Sequence, residues 1–152
     1  MPYSIPHISL SDTTTQSISV ANTPQVVTFN TTDVAHKIVA TTSSRFTFNE
    51  AGEYDCNFSY TVTAGAANKT LDIWIRVNGT DVNNSNVKVT VVNNELKHKS
   101  AHVHLSVTAG QYVELWMSGD DTSLQLITYA VGTSPTRPVT PSVRMDIKKL
   151  HN

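Results

Sequence analysis

Apolar and polar residues alternate along four stretches of this chain: Tyr54, Cys56, Phe58, Tyr60, Val62; Leu71, Ile73, Ile75, Val77; Ala101, Val103, Leu105, Val107; and Val113, Leu115, Met117. A strand turns successive side chains to opposite faces, so period two repeated this often predicts an antiparallel sheet with one packed face and one wet face. No convincing helical period competes with it, and no complete catalytic motif is present.

A chain of 152 residues suits one domain, long enough to bury about two-thirds of its unfolded surface. A hydrophobic fraction of 39% against a charged fraction of 15%, with abundant Thr, Ser, Asn and Val, favours β structure and polar loops. The net charge of -1 and 11 scattered basic residues give no field to attract nucleic acid or an anionic membrane. No apolar run reaches membrane-spanning length, and Met1-Pro2-Tyr3-Ser4-Ile5 lacks the start of a signal peptide. The expectation is a protein made in a cytoplasm and not exported, with no nucleic-acid or membrane partner. Cys56 lies on the apolar face of its strand and reads as a small buried hydrophobe; as the lone cysteine it forms no intrachain disulfide.

Residues 1–22 are polar and irregular, with Pro2, Pro6 and the run Thr13-Thr14-Thr15. They read as an extended arm whose anchors, Tyr3, Ile5, Ile8 and Leu10, are spaced for docking on something else, or else as a frayed terminus. Such an arm would be removable without unfolding the domain, which occupies residues 23–152. Strands are predicted over 25–29, 37–39, 45–48, 53–63, 70–77, 87–92, 101–107, 111–118, 124–130 and 142–149. Turn chemistry separates them, most clearly at Asn78-Gly79, where both residues tolerate positive φ. Pro135, Pro138 and Pro141 speak against any ladder from Gly132 to Pro141. About ten short strands with no room for crossover helices imply an all-β sandwich of two antiparallel sheets, a jelly roll first and an immunoglobulin-like sandwich second.

The succession Arg45-Phe46-Thr47-Phe48, Ala51-Gly52-Glu53-Tyr54, Trp74-Ile75-Arg76-Val77-Asn78-Gly79-Thr80 and Leu105 to Leu115 resembles the jelly roll of complement globular heads and tumour necrosis factor ligands. The resemblance covers about residues 24 to 150. The carboxy-terminal strand departs from it: Val143 to Leu150 lacks the aromatic Gly-Phe-Leu-Leu-like ending of those relatives. Versions without signal peptide or disulfides resemble small virion proteins of tailed bacteriophages. The resemblance implies a homotrimer packed through the outer face of one sheet. Strands 70–77 and 111–118 would be neighbours there, presenting Asp72, Trp74, Arg76, Tyr112, Glu114 and Trp116. The expected interface is Trp74, Arg76, Tyr112, Glu114 and Trp116, since exposed aromatics on adjacent strands mark contact surfaces.

Other constellations are weaker. His102 and His104, with His98 just before, share the polar face of a strand, but no Cys, Asp or Glu accompanies them in sequence, and the resemblance implies a position away from the threefold axis. Gly119-Asp120-Asp121 reads as a turn, and with Asp81 it lacks the carboxylate spacing of a calcium loop. No Gly-x-Ser-x-Gly elbow occurs. Metal, cofactor and catalytic residues are therefore expected to be none. The expected function is non-enzymatic: a trimeric jelly roll that decorates or cements a phage capsid through its amino-terminal arm. The alternative is the receptor- or carbohydrate-binding tip of a phage fibre, contacting a host-surface glycan through loops near Asn78–Asn86 and Gly119–Ser123.

Overall fold

The computed structural model describes residues 4–151, and every regular element among them is a strand. In chain order these are β1 (His7–Asp12), β2 (Gln16–Ser17), β3 (Gln25–Val26), β4 (Thr31–His36), β5 (Ile38–Ala40), β6 (Phe46–Phe48), β7 (Gly52–Ala64) and β8 (Lys69–Val77). The second half adds β9 (Thr80–Asp81), β10 (Val87–Val91), β11 (Lys97–Val107), β12 (Tyr112–Gly119), β13 (Leu124–Leu126), β14 (Gly132–Thr133), β15 (Thr136–Arg137) and β16 (Val143–Lys149). Fourteen of them form two antiparallel sheets packed as a jelly-roll sandwich, and β14 and β15 pair only with each other.

The first sheet is built on β7, whose 13 residues carry β11 along one side and β16 followed by β13 along the other. Beyond β16 come β1 and then β4 at the edge, while β2 pairs with β13. The second sheet runs β10-β8-β12-β6-β5, with β9 extending the pairing of β8 and β3 that of β12. The inward residues of both sheets meet in one core: Tyr54, Phe58, Ile73, Ile75, Leu105, Val113, Leu115 and Met145 are all buried, as alternation requires. Val103 is only half-buried, because β11 is an edge strand, paired with β7 alone. Asn78 and Gly79 take φ of 50° and 79°, so the two-residue reversal between β8 and β9 uses the positive φ that alternation with Asn-Gly predicts.

Cys56 is buried at the centre of β7, where desolvation drives its thiol pKa far above the ordinary value, with the nearby Asp55 and Asp146 charges adding to it. Because the thiolate is the reactive species, the native protein should leave a thiol-specific chromogenic reagent unreacted. In denaturant the thiol should react at once. Rapid modification of the native state would mean that β7 opens locally.

Two expectations are corrected. The amino-terminal segment is extended, but it is not an arm ordered from outside: β1 lies between β16 and β4, with Leu10 opposite Met145 on one side and Thr32 on the other. Ile8 and Leu10 are 1% exposed and belong to the same core as Ile18 and Phe58. The backbone ladders on both sides and this burial supply the ordering for which a partner was expected. Around Pro135, β14 and β15 pair over two residues each, because the prolines at 135, 138 and 141 lie outside the paired positions.

Candidate functional site

The outer face of the second sheet collects the aromatic and charged residues that the alternation aims outward. Trp74 pairs directly opposite Trp116, and Arg76 opposite Glu114, on the antiparallel strands β8 and β12. At this spacing cross-strand side chains touch. The Arg76 guanidinium lies 4.1 Å above the Trp116 ring and 5.8 Å from the Trp74 ring, a cation held between two indoles. Arg76 Nε donates to Asp81 Oδ1 at 2.5 Å, and Trp74 Nε1 donates to the same oxygen at 2.7 Å. Trp116 Nε1 donates to Glu114 Oε1 at 3.3 Å, and Arg45 Nε donates to Glu114 Oε2 at 3.2 Å. Arg45 also covers the Tyr112 ring at 4.3 Å.

The five residues expected at an interface thus form one plate, each ring capped by a guanidinium or tied by its N–H to a carboxylate. Glu114 is 4% exposed although it faces outward, because Arg45, Arg76 and Trp116 surround it. Both indoles are half-buried rather than free, for the same reason. Arg45 and Asp81 were not foreseen as members of the plate. The β8–β9 hairpin brings Asp81 opposite Arg76, and Arg45 immediately precedes β6, the neighbour of β12.

Hydrogen bonds from Arg76, and then from Trp74, hold the Asp81 carboxyl pKa below its usual 3.8. A lowered carboxylate pKa contributes stability that is complete above the ordinary carboxylate range and is lost as pH falls through the lowered value. In an NMR titration the Trp74 indole N–H resonance should therefore move with its midpoint below 3.8. A shift centred above 3.8 would mean that the Asp81 clamp does not persist in solution.

A groove of about 490 Å³ opens at the other end of the same face, with Trp74 in its wall and Asp72, Asp81, Asn84, Asn86 and Ser118 around it. Its walls come from β8, β12, the β9–β10 loop and the segment before β3, so no single sequence motif announces it.

Of the expected docking residues, Tyr3 lies outside the described residues, Ile5 is 41% exposed, and Ile8 and Leu10 are buried. On the first sheet His102 Nδ1 stands 3.2 Å and His104 Nε2 3.8 Å from Asp55 Oδ1, the carboxylate that sequence spacing could not supply. His98 turns aside to the Thr61 hydroxyl at 3.3 Å. Among the described residues no three His, Cys, Asp or Glu side chains gather as a metal set. Asp121 accepts the Ser123 N–H at 2.8 Å, a turn role, while Asp120 accepts the Thr70 N–H of the facing strand β8 at 2.9 Å.

The two sheets and their strand order define a jelly roll of the complement-head and tumour necrosis factor type. The globular domain of zebrafish complement 1qA protein is similar in structure, with a TM-score of 0.60 and 16% identity over 98% of this chain and 99% of that one. Murine APRIL is similar with a TM-score of 0.61 and 9% identity, over 97% of this chain and 100% of that one. No protein-family profile and no curated protein sequence matches the chain. At these identities the likeness shows the fold.

Proposed function

We propose that this protein is a non-enzymatic, homotrimeric virion component of a tailed bacteriophage, made in the host cytoplasm and mounted on the capsid as a decoration or cementing subunit. The fold and the sequence resemblance support the trimer, and the resemblance alone supports the phage setting. One observation carries the assembly reading: the plate of Arg76, Tyr112, Glu114 and Trp116, with Trp74 at its rim. Trp, Tyr and Arg dominate the energetics of protein contacts, and side chains already locked in place lose little entropy on binding. Attachment to the capsid uses the exposed surface, since Ile8 and Leu10 are committed to the core.

Light scattering of the purified protein should give about three times 16.6 kDa. Trp116→Ala should weaken assembly by about 2 kcal/mol or more and leave the strand content intact. A monomer at micromolar concentration would overturn the trimer. Virion proteomics tests the setting, with a copy number near that of the major capsid protein expected for decoration.

A second reading, a receptor- or carbohydrate-binding fibre tip, is favoured by the groove beside Trp74. In that case the copy number would match a tail component.

A further inference from the structure

We propose that the groove beside Trp74 is a binding site for an uncharged saccharide, one or more pyranose rings lying against the indole and hydrogen-bonded by Asp72, Asp81, Asn84, Asn86 and Ser118. This rests on the surface-binding reading above and gives it a ligand class. It requires that Trp74, at the rim of the assembly plate, stay open to solvent when the chain assembles.

The chemistry of the walls carries the assignment. A pyranose offers an apolar C–H patch on one side and a rim of hydroxyls, each both donor and acceptor. Its complement is an aromatic surface next to planar carboxylates and amides, whose paired atoms match neighbouring hydroxyls. Here the aromatic surface is Trp74, half-buried and fixed by its N–H bond to Asp81. The carboxylates are held as well: Asn86 Nδ2 donates to Asp72 Oδ1 at 2.9 Å, and Lys88 Nζ donates to Asp72 Oδ2 at 3.2 Å. Each Asp72 oxygen keeps a second lone pair for a ligand hydroxyl, and Asp81, whose Oδ1 already accepts from Arg76 and Trp74, offers its Oδ2.

The walls are built rather than incidental. Ser85, 2% exposed, donates to the Val82 carbonyl at 2.7 Å and accepts the Ile75 N–H at 3.1 Å, which pins the β9–β10 loop to β8. On the opposite side Asn22 N–H donates to the Gly119 carbonyl at 2.7 Å. A site fixed in this way spends little entropy on closing around a ligand.

Size and charge narrow the ligand further. A volume of about 490 Å³ falls within the range of small-molecule sites. A second hollow of about 340 Å³ shares Asn22, Asp72 and Ser118 with the first, so the groove continues past a single ring. No Lys or Arg lines the first hollow, and two carboxylates do. Lys88 and Arg76 are already spent on those two carboxylates, so the hollow holds no free cation to favour a sulfated, phosphorylated or carboxylated sugar over a neutral one.

The test is calorimetric titration of the full chain with maltose, lactose and N,N′-diacetylchitobiose, and with a sulfated heparin disaccharide as the anionic probe. Saturation-transfer NMR reports which sugar protons lie against the protein. At least one neutral disaccharide should bind saturably, with transfer to its ring C–H protons. Trp74→Ala and, separately, Asn86→Ala should each weaken it by about tenfold or more. Asn86 is exposed and outside the core, so its variant keeps the test valid should Trp74→Ala fold poorly. Three results would overturn the proposal: no neutral disaccharide saturating into the millimolar range, the sulfated probe binding more tightly than every neutral one, or binding that survives both substitutions. Light scattering on the same samples reads the trimer separately, so loss of one reading leaves the other standing.

Discussion

Phe58→Ala should lower the stability of the protein by about 3–5 kcal/mol. Phe58 is 1% exposed and sits near the middle of β7, directly opposite Ala101 on β11 and Met145 on β16. Its ring stacks at 6.4 Å on Tyr60, two positions on and on the same face. Removing it deletes apolar surface from the strand that joins both flanks of the first sheet. Packed strands cannot close in to fill such a void, so the cavity cost adds to the lost transfer energy. Domains carry only about 5–15 kcal/mol in total, so the loss is a large share of what holds this one folded. In urea the unfolding midpoint should fall while the slope stays constant. A stability within about 0.5 kcal/mol of the parent would mean that β7 is out of register by one residue, since a one-residue slip moves every side chain to the other face.

Strands with one face on the core were legible because burial writes itself as alternation. Tyr54 to Val62 and Leu71 to Val77 fixed which residues point inward, and therefore placed Trp74, Arg76, Glu114 and Trp116 on the outer face. Where that condition fails, so does the signal. β4 is an edge strand with exposed residues on both faces, and Thr31 to His36 shows no alternation to read. The start of β11 points Lys97 and Lys99 along the inward register of Ala101 and Val103, so its first four residues lacked an apolar stripe. β1 is a different case, because Ile8 and Leu10 do alternate with Ser9 and Ser11. The flanking Pro6 and the Thr13–Thr15 run drew attention to irregularity instead. The plate was half visible, since the period gives its faces but not the Asp81 and Arg45 contacts that chain reversals create. The groove was invisible, because its walls meet only after four separate segments have folded.

Deleting residues 2–12 should abolish cooperative folding, the opposite of what a detachable arm would allow. The deletion removes a strand from inside the first sheet, stripping the ladder partners of both β16 and β4. Burial of Ile8 and Leu10 contributes about 1.5–3 kcal/mol each, and their loss opens Met145 and Ile147 to water. Asp12, 1% exposed, ties the end of β1 to three other segments of the chain. Its Oδ1 accepts the Thr14 N–H at 2.8 Å and the Thr14 hydroxyl, its Oδ2 accepts the Asn30 N–H at 3.0 Å, and its carbonyl accepts the Ser142 N–H at 2.9 Å. The bonded Asp12 carboxylate contributes about 1.5–3 kcal/mol net, so with Ile8 and Leu10 the loss reaches about 4.5–9 kcal/mol, within the range of a whole domain's stability. The shortened protein should lose its β-type circular dichroism and melt without a transition. The single change Asp12→Ala should leave a folded protein weakened by about 1.5–3 kcal/mol. A truncated protein that unfolded cooperatively at the parent midpoint would show that the sandwich closes without β1. Ile8 and Leu10 would then be free to engage a partner after all, which makes this deletion the experiment on which any docking role for the amino terminus depends.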